Sequence, residues 1–433
     1  MFKFFLMLLF IVSPMIPLFG QSLPTATNSS AGAASAINSI GIDLLHETGG
    51  AGANALLSPY SIETALAMTY AGADGKTREE MARVLHLNGD GAQVAESFAA
   101  LQRQLDDVVK KSEQAAEAMK KYGQTNEPMA LNVANRLFGQ EGYDFRPAFL
   151  NLLKTNFNAP LEAMDFVKNS AAAAKTINDW VAQKTQDRIQ NLVPPGALNA
   201  LTRLVVVNAL YLKASWAEPF SERATEPLPF HVRGGDTTNV PTMSLQKTFG
   251  YAKADGVTIV SVPYKGGELQ FLIILPDDVK GLAKVEAGLT ADQLAGWASL
   301  ANQSVKLLLP KFKMQPPTLP LGEALQKLGM KTAFDIPPGS ADFDRMAPRR
   351  PPNDYLFISK VLHKTFISVD EKGTEAAAAT AVVMITNSAV MRPLEPVEVK
   401  VDHPFIFAIQ HRASRACLFL GRVVDPRSAA ERE

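Results

Sequence analysis

Cysteine is almost absent from this chain: Cys417 is the only one among 433 residues. A single thiol excludes an internal disulfide, so the fold has to be held together by its core. The surrounding residues, A-C-L-F-L-G, are apolar. A cysteine in such a run is typical of a buried strand, and we expect the thiol of Cys417 to be unreactive.

The chain also lacks net charge and the common catalytic motifs. Its 43 basic and 43 acidic residues balance, so it offers no global field for nucleic acid or an anionic membrane. It contains no metal-binding H-E-x-x-H, no G-x-S-x-G nucleophile elbow and no phosphate-binding G-x-x-x-x-G-K. We expect no metal, no cofactor and no enzyme activity, and a secreted enzyme stays as a third alternative because missing motifs alone do not exclude one. An apolar content of 47% instead indicates a globular protein with a large core.

The amino terminus lacks an apolar run long enough to cross a bilayer. After Met1-Phe2-Lys3, the apolar stretch from Phe4 to Val12 has nine residues, whereas a spanning helix needs about 20. A charged start and a short apolar run are typical of a cleaved secretory signal, which we place at residues 1–20. An uncleaved interfacial anchor is the alternative. Residues 21–32, rich in Ser, Thr, Ala and Asn, predict a flexible mature amino terminus.

Helix signals recur along the chain. Ser58 can cap a helix whose first turn holds Pro59, where the missing N–H is no loss. Thr77-Arg78-Glu79-Glu80 has the form of a capping box that opens another helix. Apolar periodicity and these caps predict helices at 34–48, 59–70, 77–88, 145–157, 171–185 and 321–328, with an extended helix and a surface loop within 102–128.

Strand signals lie between these helices. The nearly continuous apolar run from Leu201 to Leu212 is typical of a strand covered on both faces. Two strands flanking Lys265-Gly266-Gly267, 257–263 and 269–276, predict a hairpin. The remaining predicted strands are 129–138, 307–314 and 355–370.

The segment from Val369 to Arg392 is ambivalent between helix and strand. Its alanines favour a helix from Thr374, whereas Thr380 to Ile385 is β-prone. As a strand, the segment would place only small or uncharged side chains on one face, because residues two apart share a face. These are Thr374, Ala376, Ala378, Thr380, Val382 and Met384. Glu375 would lie on the other face, where water or a covering helix could accommodate its charge.

The stretch E-K-G-T-E-A-A-A-A-T, followed by D-H-P-F-I-F and F-L-G-R-V-V-D-P, resembles the reactive-loop hinge and carboxyl-terminal signature of the serpins. The resemblance extends from about residue 33, and the loop is similar to those of the secreted bacterial branch. It implies an α+β serpin fold with three β-sheets, eight or nine helices and an exposed reactive-centre loop. The serpin domain would span 33–427, its loop about 371–396, and a tail would occupy 428–433.

The resemblance also implies where a protease would cut. Counting seventeen residues from Glu371 places the scissile bond at Asn387–Ser388. The loop is longer than in many serpins, so Met391–Arg392 and Met384–Ile385 remain alternatives. The implied hinge comprises Glu371, Gly373, Thr374, Glu375, Ala376, Ala377, Ala378, Ala379 and Thr380.

Two further clusters are implied by the family. Ser58, Ser61, Asn208 and His363 match the shutter, where the main sheet parts. Hydroxyl, amide and imidazole groups can exchange hydrogen bonds as strands separate. Trp216, Lys311 and Glu371 match the breach at the top of the sheet, where we expect a Glu371–Lys311 ion pair.

The resemblance implies a secreted, extracellular or periplasmic, monomeric inhibitor whose partner is a serine or cysteine endopeptidase. The loop would be cleaved, and residues 374–386 would then insert into the main sheet. The alternative is a non-inhibitory serpin that acts as a binding or carrier module. Such members usually carry bulky, charged or proline residues in the hinge. In this hinge the only residue of those kinds after Gly373 is Glu375. In some serpins the region corresponding to 102–128 binds a cofactor, but here Lys110, Lys111, Lys120 and Lys121 are interpreted as a solvated face.

Overall fold

The computed structural model of the protein describes residues 29–48, 52–123, 127–232, 235–350, 354–375 and 395–427. Nine α-helices and seventeen strands occur in these ranges, which confirms the α+β fold. The helices are α1 (Ala31–Glu47), α2 (Pro59–Tyr70), α3 (Gly75–Val84), α4 (Gly91–Lys120), α5 (Pro147–Phe157), α6 (Phe166–Lys184), α7 (Leu282–Gly288), α8 (Ala291–Gly296) and α9 (Gly322–Lys327).

The strands form two hydrogen-bonded networks. They are β1 (Ala55–Leu57), β2 (Ala130–Gln140), β3 (Glu162–Met164), β4 (Leu204–Ser215), β5 (Glu226–His231), β6 (Thr237–Ala254), β7 (Val257–Pro263), β8 (Leu269–Pro276), β9 (Asn302–Pro310), β10 (Phe312–Met314), β11 (Leu319–Pro320), β12 (Ile358–Thr365), β13 (Ile367–Asp370), β14 (Gly373–Thr374), β15 (Val397–Lys400), β16 (Phe405–His411) and β17 (Cys417–Val423). One network has nine strands and the other, the central sheet, has eight.

Two of the three expected sheets share a strand. The 18-residue strand β6 pairs with β5 and β9 over its first part and with β7 over its last residues. Because β6 is hydrogen-bonded to strands of both sheets, the two sheets join into the single nine-stranded network.

Strand β4 lies in the middle of the central sheet, with both faces covered. Val205, Val207 and Ala209 pack in a cluster with Ile177 and Val181 of α6. The alternating residues, such as Leu204 and Val206, belong to the main core on the opposite face. Covering both faces explains why this strand is apolar at nearly every position, as the sequence predicts.

Helix α2 begins as its sequence predicts. Ser58 is the N-cap, its side chain accepts a hydrogen bond from the Ser61 N–H at 3.2 Å, and Pro59 occupies the first turn. The predicted capping box at Thr77 is wrong. Helix α3 starts at Gly75 with Asp74 as N-cap, and the Thr77 hydroxyl instead accepts from the Asp342 N–H. A local motif cannot show that a distant loop will compete for the hydroxyl.

Two strands predicted as continuous are divided. The run 307–314 splits at Lys311, where the chain leaves β9 and enters β10 of the central sheet. Pro310 has no N–H to continue a ladder, which favours the break at this point. The run 355–370 begins as a strand only at Ile358 and divides into β12 and β13 around Phe366.

Candidate functional site: an opening in the central sheet

The central sheet parts above its middle. Strands β4 and β12 run parallel and pair from Leu204 to Leu210. Higher up, the two-residue strand β14 lies between β4 and β13, with Thr374 opposite Ala214 on one side and Val369 on the other. Among the described strands, none pairs with Tyr211–Lys213 on this side of β4. We call the gap between these residues and Phe366–Ser368 the slot.

Gly373 is required where the chain turns into the slot. Its φ is +152°, and an added Cβ would lie 2.1 Å from the Ala214 carbonyl oxygen and 2.8 Å from the Ser215 Cα. Backbone atoms cannot move aside as a flexible side chain can. Only glycine therefore permits β14 to approach β4 this closely.

The two residues after Gly373 point to opposite faces of the sheet. Thr374 is buried on the inner face, where its hydroxyl oxygen lies 2.5 Å from that of Tyr264. Glu375 lies on the outer face, where its carboxylate contacts Arg188 in the segment that follows α6. The structure thus places these two hinge side chains on the faces that the alternation predicts.

Lys311 and Glu371 form the ion pair expected at the breach. Lys311 Nζ lies 2.8 Å from Glu371 Oε2, and the Thr225 hydroxyl donates to Oε1 at 2.7 Å. Burial acts to raise the pKa of Glu371, but Lys311 and Thr225 outweigh it, so this pKa lies below its ordinary value. Glu371 is therefore held as a buried, paired carboxylate at the entrance to the slot.

Trp216 closes the same end of the slot. Its indole N–H donates to the Asp370 carbonyl at 2.9 Å, and its backbone N–H donates to the Lys372 carbonyl at 2.9 Å. Its ring stacks on Tyr264 with centroids 4.7 Å apart. Trp216 thus contacts both the strand that leads into the hinge and the tyrosine beneath Thr374.

The four predicted shutter residues meet at the lower end of the slot. His363 and Asn208 are paired in the β12–β4 register, and His363 Nδ1 lies 2.5 Å from Asn208 Oδ1. The Ser58 backbone N–H donates to His363 Nε2 at 3.1 Å. Because a backbone N–H can only donate, Nε2 is the acceptor and the proton of the neutral ring is on Nδ1.

Burial favours this neutral form, because it lowers the pKa of His363 to about 3. The Ser61 hydroxyl donates to Asn135 Oδ1 at 2.8 Å, and Asn135 Nδ2 donates to the Ser61 carbonyl at 3.1 Å. Sequence reasoning missed Asn135. It lies opposite Asn208 in the β2–β4 register, and only that non-local register could have identified it.

Several predicted residues lie outside the described ranges. These are the hinge residues Ala376, Ala377, Ala378, Ala379 and Thr380, the favoured bond Asn387–Ser388, its alternatives Met391–Arg392 and Met384–Ile385, the signal at 1–20 and the tail at 428–433. Their roles stay predictions.

The described part of the chain holds no cluster of three or more His, Cys, Asp or Glu side chains suited to a metal ion. Burial raises the pKa of the Cys417 thiol. No described helix has the length and apolar content needed to cross a membrane.

Two of the α4 lysines that the sequence analysis interprets as a solvated face pair with acidic side chains. Lys111 pairs with Glu268 at 2.8 Å and Lys120 with Glu117 at 2.9 Å.

The sequence matches the family model described as Serpin (serine protease inhibitor) over residues 35–426. The leukocyte elastase inhibitor of Bos taurus is 38% identical over 382 residues, covering 86% of this chain and 93% of that protein. A serpin-like protein of Thermococcus kodakarensis is 40% identical over 393 residues, covering 90% of this chain and 85% of that protein. The native structure of the thermophilic serpin tengpin matches with a TM-score of 0.76 at 26% identity, covering 91% of this chain and 94% of that one.

Proposed function

The chain belongs to the serpin family, and we propose that it inhibits an endopeptidase as a suicide substrate. The protease attacks a bond in the loop and forms an acyl-enzyme through its own nucleophile. The cut loop then enters the slot as an added strand and carries the attached protease with it. Serpin loop insertion is a known example of strand addition that releases stored strain.

The observation that carries this proposal is the position of β14. Gly373 and Thr374 already pair with β4 on one side and β13 on the other. Below them, the slot offers strand edges that an entering segment can bond. The sequence that follows, residues 376–386, contains neither proline nor glycine and no charged side chain. Such a segment can enter beneath α6 without burying a charge or losing a ladder donor.

The free energy released by insertion is large enough to hold the protease as an acyl-enzyme. A dozen residues in a strand would span about 40 Å. Each new ladder hydrogen bond contributes about 0.5–1.5 kcal/mol, and burial of Val382 and Met384 would add about 1.5–3 kcal/mol each. The sum is on the order of 10 kcal/mol. That is enough to hold an acyl-enzyme whose distorted active site hydrolyses slowly.

We propose that the target accepts a small or amide side chain at Asn387. A serine protease with a small specificity pocket is one candidate, in keeping with the name of the bovine relative, because elastase has such a pocket. An asparagine-selective cysteine protease is the other. We also propose that the protein itself has no hydrolase activity and acts as a monomer.

Export from the cell is a further part of the proposal. It is supported by Met1-Phe2-Lys3 and the apolar run to Val12. Amino-terminal sequencing of the protein recovered outside the expressing cells tests it, because a mature chain should begin near Gln21. The similarity to the secreted bacterial branch stays a prediction, since the relatives reported above come from cattle and an archaeon.

A protease panel analysed on denaturing gels tests the inhibitory function. The panel should include elastase-like, trypsin-like and asparagine-selective enzymes, and mass spectrometry should locate the cut. We expect a covalent adduct that survives denaturant with at least one active enzyme and is absent when that enzyme's nucleophile has first been blocked. Complete cleavage of the loop without any adduct would instead favour the binding or carrier alternative.

A further inference from the structure

Glu375 is the point at which the hinge leaves the central sheet. Strand pairing stops at Thr374, but the Glu375 N–H still donates to the Ser368 carbonyl at 2.9 Å. The φ of Glu375 is +48°, in the left-handed region that a strand residue does not adopt. A non-glycine residue in this conformation needs support from its surroundings.

The Glu375 side chain is largely buried, and only one of its two carboxylate oxygens has a partner. It is 12% exposed, and its Oε1 contacts Arg188 Nε. Its Oε2 is buried without a hydrogen-bond partner among the described residues. Burial raises the pKa of Glu375, while the cations of Arg188, Lys213 and Lys313 act in the opposite direction. A carboxylate in this position depends on its counter-charge, because it has lost most of its water.

Arg188 is presented by a well-held backbone. Gln186 and Asp187 adopt left-handed conformations just after α6, with φ of 51° and 60°. The Arg188 N–H donates to the Thr185 carbonyl at 3.0 Å, and the buried Ile189 follows directly. Burial and the charge of Glu375 raise the pKa of Tyr211 at the edge of the slot, while Arg188 acts in the opposite direction. The charge of Arg188 thus acts both on the end of the inserted hinge and on the edge of the slot.

We propose that Arg188 is a positioning residue that sets how far the hinge enters the central sheet before cleavage. Deeper insertion would require Glu375 to become extended, which would move its carboxylate away from Arg188. Withdrawal would break the same contact. The ion pair therefore opposes movement in both directions. Only its consequence for inhibition rests on the proposed function, since the position of the hinge is a property of the intact protein.

Removing Arg188 takes away the cation that contacts the Glu375 carboxylate, and the charges of Lys213 and Lys313 do not replace that contact, so the carboxylate gains by moving into water. Outward movement of Glu375 would pull the preceding residue, Thr374, out of the sheet as well. Arg188→Gln should therefore withdraw the hinge. Replacing Glu375 by Gln as well removes the negative charge that favours this movement. The double variant Arg188→Gln/Glu375→Gln should hold the hinge nearly where the unmodified protein does.

Hydrogen exchange of the intact protein, followed by mass spectrometry of overlapping fragments, tests the inference at the Thr374 and Glu375 amides. We expect exchange to rise about tenfold or more in Arg188→Gln. It should return to within about twofold of the unmodified protein in the double variant. The matched control is Lys184→Gln, which removes an exposed positive charge from the last turn of α6. It should leave exchange at the Thr374 and Glu375 amides unchanged.

Fluorescence of Trp216 gives a second measurement in a background in which Trp180 and Trp297 are replaced by Phe. Trp216 stacks on Tyr264, so withdrawal of Thr374 should shift its emission in Arg188→Gln alone. Exchange in Arg188→Gln equal to that of Lys184→Gln, or no recovery in the double variant, would overturn the inference. Neither measurement uses a protease, so a failure here is distinguishable from a failure to form adducts.

Discussion

The hydroxyl oxygens of Thr374 and Tyr264 lie 2.5 Å apart beneath the central sheet, and both residues are buried. Thr374 is thus buried on the inner face of the central sheet, directly above the slot. The side chains that follow it on that face would have to enter the same core.

On the proposed function, Thr374→Arg should convert the protein from an inhibitor into a substrate. The guanidinium would replace a buried hydroxyl, and a buried unpaired charge costs several kcal/mol, so insertion should become slower than hydrolysis of the acyl-enzyme. Denaturing gels should show cleaved protein and little or no adduct. Thr374→Ser, which keeps the hydroxyl, is the control and should still form the adduct. Unchanged adduct formation by Thr374→Arg would contradict the inward placement of this side chain.

Lys311→Met should destabilise the native protein by about 1–3 kcal/mol, because it leaves the buried Glu371 carboxylate without its cation. Urea unfolding followed by circular dichroism measures this loss. Lys311→Met/Glu371→Gln should recover part of it, since the neutral amide can still accept from Thr225. Strictly additive effects of the two substitutions would indicate that the ion pair does not couple them.

His363 should make the protein less stable in acid. Its pKa is about 3 in the fold and about 6.5 in an unfolded chain. Its contribution is complete above about pH 6.5 and is lost as the pH falls, by about 1.4 kcal/mol per unit. Protonation of Nε2 would also break the bond from the Ser58 N–H. The free energy of unfolding of His363→Gln should therefore fall less between pH 7 and pH 5. Equal losses in both proteins would show that this ring is not the titrating group.

Glu63 should have the opposite pH dependence. Its carboxyl on α2 is fully buried, neither oxygen has a partner among the described residues, and burial raises its pKa well above the ordinary value. The cost of burying it therefore grows as the pH rises above about 4.5. Glu63→Leu should increase the free energy of unfolding by about 1–3 kcal/mol, and the gain should be larger at pH 8 than at pH 5.

Glu63→Gln separates the two causes in this prediction. The amide keeps an unpartnered polar group in the core but cannot ionise. This variant should lose the pH dependence and keep most of the cost that remains at pH 5. A stability gain from Glu63→Leu that is the same at both pH values would rule out ionisation as its source.

Local signals predict much of the fold because they act over a few residues. The hairpin strands Val257–Pro263 and Leu269–Pro276 have the predicted bounds. The Lys265-Gly266-Gly267 turn marks where the first strand ends and the second begins. The same holds for Ser58 and Pro59 at the start of α2. Thr77 fails because its hydroxyl is engaged by residues about 265 positions away.

The candidate site is predicted unevenly for the same reason. Strand alternation predicts the inward side chain of Thr374, and the outward side chain of Glu375 agrees with it although Glu375 leaves the strand with a φ of +48°. Asn135 does not, because its place beside Ser61 depends on the register between β2 and β4. Arg188 carries no local signal at all, since an exposed arginine after a helix is common, and only the folded chain brings it to Glu375.

The melting temperature before and after a single cut in the reactive loop tests the central claim most directly. On the proposed function, the intact protein is kept short of its most stable form, and residues 374–386 complete the central sheet once they are free. A protein nicked near Asn387 should therefore melt about 10 °C or more above the intact one, because about 10 kcal/mol of added stability is divided by an unfolding entropy of about 2.1 cal/mol/K per residue. A nicked protein that melts at the same temperature as the intact one would contradict the account.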